Sequence, residues 1–420
     1  MSNSPSDEVL DAVTRFFLES RDFNGIPFHD LVEETGLTPE KVASCLKPLV
    51  EKELAGVIHR DDFINPHIIR TGFAPTEHQL EKLDPDSLSG ACIYPRQRHL
   101  EEKVDPSGYS RQPYTFRLAL GEPHLAYRSF ELSVLEHYRN DPRYYYRNDD
   151  VNGSISVRDE PYEEGSMRES DEVLLKFGFS YDDNPRRAVA VFLTELDGLS
   201  AEHQQIWKAK ELEGDYKLHP DFYRNMVLGE WGEKVPIFDA FLEEMELINR
   251  AAELMDRPPL FREEYRTSEH EKPREFGFLV RPTSKEYYGF VHLLDKMLSE
   301  NLNKDFFKGD VSDRYEDGSR KGTINMLDEW VRSVFDTENW EPWDRAIESI
   351  KEVRNQRQKP AHAVVENEFD QKYLEKQRRL VEEAYDAVRV LRQVLEHHPS
   401  VTEDALDVPD YLREGRIWTV

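Results

Sequence analysis

The sequence predicts a multidomain α+β protein. Three observations lead there. A chain of 420 residues is too long for one ordinary hydrophobic core, so roughly two to four domains are expected. The spacing of apolar residues changes along the chain, from helical at both ends to alternating in the middle. The apolar fraction is 38% and the aromatics are 11%, enough for real cores although 33% of the residues are charged.

Residues 1–70 predict a small helical unit ending in a hairpin. A first helix carries Val9, Leu10, Val13, Phe16 and Phe17 on one side, and Ile26-Pro27-Phe28 follows the Asn24-Gly25 turn. A second helix holds Leu31 and Val32 and stops at Gly36. The third opens at Thr38-Pro39-Glu40, a cap with proline in the first helical turn, and carries Val42, Leu46, Leu49 and Val50. Two short apolar runs, Val57-Ile58 and Phe63-Ile64, flank Arg60-Asp61-Asp62 as a hairpin would. This order resembles a winged helix. The resemblance implies either DNA binding through the third helix, with Lys41, Lys47 and Lys52 on phosphates, or a protein-interaction role. Seven basic against thirteen acidic residues over 1–70 weigh against DNA.

Residues 71–112, rich in Pro, Gly and Ser, read as a linker. Residues 113–282 predict an α+β middle domain. Phe116, Leu118 and Leu120 alternate as in a strand. Val173, Leu175, Phe177 and Phe179 alternate before Asp182-Asp183-Asn184-Pro185, and Val189, Val191 and Leu193 after it, predicting a hairpin. Helical spacing returns over 201–256, and Phe276, Phe278 and Val280 suggest one more strand.

Residues 283–398 predict a four-helix bundle. Thr283 to Glu286 has the form of a capping box ahead of Tyr287, Val291, Leu294, Leu298 and Leu302. Thr323 caps a second helix, a third runs from about Pro342 to Gln358, and a fourth from near Asp370 to His397-His398-Pro399. The tail, 399–420, carries Tyr411, Leu412, Ile417 and Trp418 and is expected to pack on the body.

The chemistry concentrates at the end of the third bundle helix. Ile347, Ile350, Arg354 and Arg357 step by three, four and three and share one face. Two arginines therefore continue a stripe where apolar residues are expected, and an arginine aimed at a core needs partners for its five donors. Pro360 stops the helix and His362 follows the break. Lys351, Arg354, Arg357 and Lys359 against Glu352 make a basic island in a chain of net charge −29.

Arg357-Gln358-Lys359-Pro360-Ala361-His362, an Arg and a His separated by four residues within a helical bundle, resembles the HEPN superfamily (higher eukaryotes and prokaryotes nucleotide-binding domain). The resemblance covers roughly 283–398, about a quarter of the chain. Its position after the Arg, often Asn, Asp or His, is here Gln358; Arg354-Asn355 has the favoured pair, but seven residues lie between Arg354 and His362. The resemblance implies a metal-independent endoribonuclease, of the kind found in toxin and antiviral defence systems, dimeric through the bundle, with Arg357 and His362 catalytic. Arg354, Asn355, Lys351 and Lys359 would bind RNA. The chemistry is coherent, since His can accept a 2′-hydroxyl proton near neutral pH and Arg can stabilise charge building at phosphorus. The other reading is a non-catalytic sensor or scaffold binding protein or nucleotide, with the arginines paired to buried acids. A DNA-binding regulator is third.

No phosphate loop of the Gly-x-x-x-x-Gly-Lys form, no His-Glu-x-x-His, no Gly-x-Ser-x-Gly and no Cys/His metal spacing occurs, so no metal or cofactor is expected. No run of about 18 apolar residues occurs, so no membrane partner is expected. The polar N-terminus and two cysteines make the cytoplasm the expected location.

Overall fold

The computed structural model describes residues 4–62, 65–149, 151–163, 165, 168–184, 186–230, 232–267, 271–358 and 366–418. The protein is a mixed α+β chain that divides into two compact units. One holds residues 1–134 and 155–219, the other 135–154 and 220–420.

In the first unit, α1 (Pro5–Glu19) starts at Ser4, whose hydroxyl accepts from the Asp7 amide while the Asp7 carboxylate accepts from the Ser4 amide at 3.1 Å. This reciprocal cap satisfies two amides that a helix start leaves unpaired. Val9, Val13 and Phe17 point inward at helical spacing. β1 (Ile26–Pro27) leads into α2 (Phe28–Thr35), which ends at Gly36 in the left-handed conformation, φ +65°. α3 (Pro39–Glu51) starts on the Thr38 cap and buries Val42, Leu46 and Leu49. All four residues of β2 (Ala55–Ile58) are buried.

The hairpin expected after α3 falls in part outside the described residues. Its second run, Phe63-Ile64, is not described, and β2 pairs with β3 (Cys92–Pro95), in the order β1-β3-β2, all antiparallel. The segment expected as a linker, 71–112, thus supplies the central strand of a sheet, with Ile93 and Tyr94 fully buried. Its apolar run is four residues long and flanked by Gly and Pro, too short for periodicity to register.

The second sheet of this unit contains β4 (Tyr127–Phe130), β5 (Leu174–Tyr181), β6 (Arg187–Phe192) and β7 (Lys217–Leu218). The order β4-β6-β5 is antiparallel, with β7 on β5. The expected β5–β6 hairpin is present, with Phe179 opposite Val189. Phe116, Leu118 and Leu120 do not form a strand. They fall in and just after α4 (Pro113–Ala119), where Pro113 fixes the first turn and Tyr114 and Leu118 bury one face.

The second unit is built on five helices: α5 (Ile237–Leu254), α6 (Ser284–Met297), α7 (Thr323–Val334), α8 (Glu341–Gln358) and α9 (Lys372–Glu396). The four helices expected over 283–398 are all there. α5, expected in a middle domain, joins them: it packs along α9, which also packs on α8, while α8 packs on α6. One continuous core runs from Ile237 to Leu412. Phe276, Phe278 and Val280 form no strand. Phe276 stacks on Phe290 with ring centroids 6.2 Å apart, and the buried Gln377 side chain bonds the backbone of Gly277 and Leu279 at 2.9 and 3.1 Å, doing what a neighbouring strand would.

Two caps differ from expectation. Thr283 accepts from the Glu286 amide at 3.3 Å, but the Glu286 carboxylate takes a two-pronged bond from Arg139, at 2.9 and 3.0 Å, instead of closing a box. Gly322, not Thr323, precedes α7, and the Thr323 hydroxyl donates to the Ser299 carbonyl at 2.9 Å. The tail packs as expected: Leu412 is fully buried, and residues 417–418 pair in parallel with 235–236.

Candidate functional site

The face of α8 that carries Ile347 and Ile350 into the core brings Arg354 and Arg357 to α6 and the turn after it. The partner is Asp295, in the last turn of α6, whose side chain is completely buried. Its Oδ2 accepts from Arg357 Nη1 at 2.7 Å, and its Oδ1 accepts from the Ser299 hydroxyl. Ser299 Oγ accepts in turn from Arg354 Nη1 at 2.9 Å. Glu300 also pairs with Arg357 Nη1. One buried carboxylate therefore orients two guanidinium groups, one directly and one through a hydroxyl.

The electrostatics follow from this contact. The hydrogen bonds Arg357 donates to Asp295 and then Glu300 raise its pKa, and the hydrogen bond from Arg357 holds the Glu300 carboxyl below its ordinary 4.5. Neither arginine is sealed: the side chain of Arg354 is 42% exposed and that of Arg357 is 30% exposed. Buried carboxylates that bind half-open arginines fix the direction of a cation while leaving donors for another anion.

Arg354 lines an open cavity of about 600 Å³ together with Arg262, Lys304 and Lys321, and with Glu300 and Asp305 as its acids. Lys321 pairs with Glu329, and Arg262 donates to the Glu300 carbonyl. Four cations from separate stretches of a strongly acidic chain meet here, and a phosphate group is the common anion such a lining suits.

Of the residues the sequence singled out, Arg354 and Arg357 are together. Lys351 and Asn355 are exposed on α8 and line no part of this cavity. Lys359 and His362 lie outside the described residues. Asp295, Ser299 and Glu300 were not foreseen. A signal existed: Asp295 follows Leu294 and stands four residues after Val291 on the buried side of α6, an acid on an apolar stripe facing arginines on another.

Other candidates resolve as packing. Tyr144 and Tyr146 are buried on one side of a short strand, Tyr144–Asn148, in the pattern of a sheet edge. His397 Nδ1 bonds the Gln393 carbonyl at 2.7 Å at the end of α9. Among the described residues, no group of three or more His, Cys, Asp or Glu is placed to hold a metal, and no helix is long and apolar enough to cross a membrane. No protein-family model, curated protein or solved structure matches this chain.

Proposed function

We propose that the chain is a metal-independent endoribonuclease of HEPN type, with its site at the end of α8. The reading is supported chiefly by one observation: a fully buried Asp295 orients Arg357 and, through Ser299, Arg354 beside an open basic cavity. In this reading His362 takes the proton of an RNA 2′-hydroxyl, whose oxygen attacks phosphorus. The 5′-oxygen leaves as a hydroxyl, taking its proton from the protonated histidine of the second protomer's site, and a 2′,3′-cyclic phosphate remains. Arg357 stabilises the charge on the phosphorane, and Arg354 and Lys359 hold the strand, while Lys351 and Asn355 stand on the outer face of α8. A single histidine at each chain's site, His362, favours a homodimer in which two sites share a cleft. The N-terminal winged-helix-like part would bind a protein and restrain the bundle, since its charge disfavours DNA. No cofactor enters this chemistry.

A second reading is favoured by a specific contact. Arg357 Nη1 is engaged by both Asp295 and Glu300, as in a structural pair, which suits a non-catalytic module that binds nucleotide or protein. RNA cleavage in EDTA separates the two. Wild type should cleave, and Arg357→Ala and His362→Ala should each lose at least a hundredfold while folding normally. Binding of RNA without cleavage in any of the three would select the second reading. Cleavage surviving both substitutions would remove the site from α8.

A further inference from the structure

The connection between α7 and α8 carries an aromatic pocket that neither reading of α8 uses. It runs Phe335-Asp336-Thr337-Glu338-Asn339-Trp340, and α8 opens at Glu341-Pro342-Trp343. Proline in the first helical turn fixes where α8 begins, so Trp340 and Trp343 flank its first residues. With Phe335 they line a cavity of about 270 Å³ against α9. Val390 and Val394 of α9, with Pro342, supply aliphatic walls. The polar edge of Trp343 is already satisfied, since Nε1 donates to Asp328 Oδ1 at 2.8 Å.

The charge left over at this connection is acidic. Asp336 is the one described lining residue with a fixed charge, and His397 is tied by Nδ1 to the Gln393 carbonyl. Asp344 pairs with Arg332, and Glu341 lies 3.8 Å from Arg345, but Asp336 and Glu338 form no ion pair among the described residues. Electron-rich rings beside unpaired carboxylates attract a weakly hydrated cation. The chain shows this chemistry with an arginine of its own. The Arg332 guanidinium lies 4.8 Å from the Trp340 ring centre and pairs with Asp328 at 2.8 Å.

We infer that this pocket takes an arginine side chain from a basic segment of a protein partner. The guanidinium rests on the rings and meets the Asp336 carboxylate and the exposed Gln393 amide, while the aliphatic stem runs along Val390, Val394 and Pro342. The cavity is smaller than the roughly 300–1,000 Å³ of most small-molecule sites, which suits one side chain. A free amino acid would bring its own carboxylate toward Asp336, Glu338 and Glu341, so an arginine within a chain fits better. The pocket shares no lining residue with the cavity of Arg354, so the inference rests on neither reading of α8.

Fluorine NMR of the full chain labelled with 5-fluorotryptophan tests this, since only six tryptophans report and Trp340→Phe assigns the central signal. The probes are blocked glycine peptides with one central arginine, citrulline, lysine or trimethyllysine, and free arginine, all at moderate salt. The arginine peptide should shift the Trp340 signal. It should bind at least tenfold more tightly than the citrulline peptide, and at least threefold more tightly than the lysine peptide or free arginine. Asp336 is exposed, so Asp336→Asn should melt with wild type yet lose at least fivefold in affinity. Trp340→Leu should lose at least tenfold. Equal binding of the citrulline or lysine peptide, tighter binding of trimethyllysine, free arginine matching the peptide, no shift with any probe, or unaltered binding by Asp336→Asn would overturn the assignment.

Discussion

Two of the arginine–carboxylate pairs in the helical unit share the same chemistry and differ in surroundings. Arg392 on α9 meets Glu244 on α5 through Nε, and through Nη2 at 3.2 Å, with side chains 2% and 0% exposed. Arg357 on α8 meets a carboxylate just as buried, Asp295, but 30% of its own side chain is open. In the first pair both charges are out of water, and the arginine can serve only its neighbours, Glu244 and Glu396. In the second only the acid is sealed, so the cation is held in direction yet keeps donors for something outside. Buried ion pairs are weak indicators of stability because desolvation offsets attraction. Exposure of one partner is therefore what separates a packing device from a candidate site.

The largest effect should come from breaking the sealed pair. Glu244→Ala leaves the Arg392 guanidinium buried with only Glu396, at 2.8 Å, to answer it. A loss of about 3–5 kcal/mol is expected from the stranded charge. Replacing both partners, Glu244→Met with Arg392→Leu, should recover most of it, because no charge is then left inside. Urea unfolding of the three proteins gives the comparison. A single variant as stable as wild type would mean that Arg392 finds water on its own.

Asp295→Asn tests the half-open pair. It keeps the shape and removes the charge that Arg357 meets, so about 1–3 kcal/mol should be lost. The functional loss should exceed the structural one. RNA binding or cleavage should fall at least tenfold, since Arg354 and Arg357 are both oriented through this carboxylate. A variant that loses stability but keeps RNA affinity would place Asp295 in the same class as Glu244.

How far these features could be read beforehand varied with their range in sequence. The α8 stripe was legible because Ile347, Ile350, Arg354 and Arg357 are local, and helical period alone puts them on one face. The partner was not, because Asp295 is one of 84 acids and lies 62 residues from Arg357. The same limit hid β3, where Ile93 pairs with Ile26 and Val57, far apart in the chain. The helix α5 was read correctly as a helix, yet its place against α9 could not be, since an apolar face names no partner. Over 276–280 the apolar alternation was present, but Gln377 meets the backbone hydrogen bonds that a strand partner would have supplied.

Acid provides a smaller and cleaner contrast. Arg357 lowers the Glu300 pKa through a hydrogen bond, so the folded protein binds that proton less readily than the unfolded chain. The resulting stability is present in full above the ordinary value of 4.5 and is lost as pH falls through the lower, folded value. Glu300 is 36% exposed, so solvent screening keeps the gain under about 1 kcal/mol. Unfolding of wild type and Glu300→Gln should thus differ by a constant above pH 5, and the gap should close below pH 4. A gap that widened in acid would reverse the sign and remove the pairing as its cause.

The smallest effect belongs to the exposed side of α8. Lys351 and Asn355 stand on the same helix as the arginines, and charge alone would count Lys351 as part of the basic island. The structure leaves both exposed and outside the cavity lining. Surface substitutions away from caps and cores stay within about 0.5 kcal/mol. Lys351→Ala and Asn355→Ala should therefore melt with wild type and change RNA affinity by about twofold or less at moderate salt, where a single exposed charge is screened. A loss equal to that of Arg354→Ala would mean that the strand crosses the outer face of α8, and that the buried carboxylate is not what selects which cations bind.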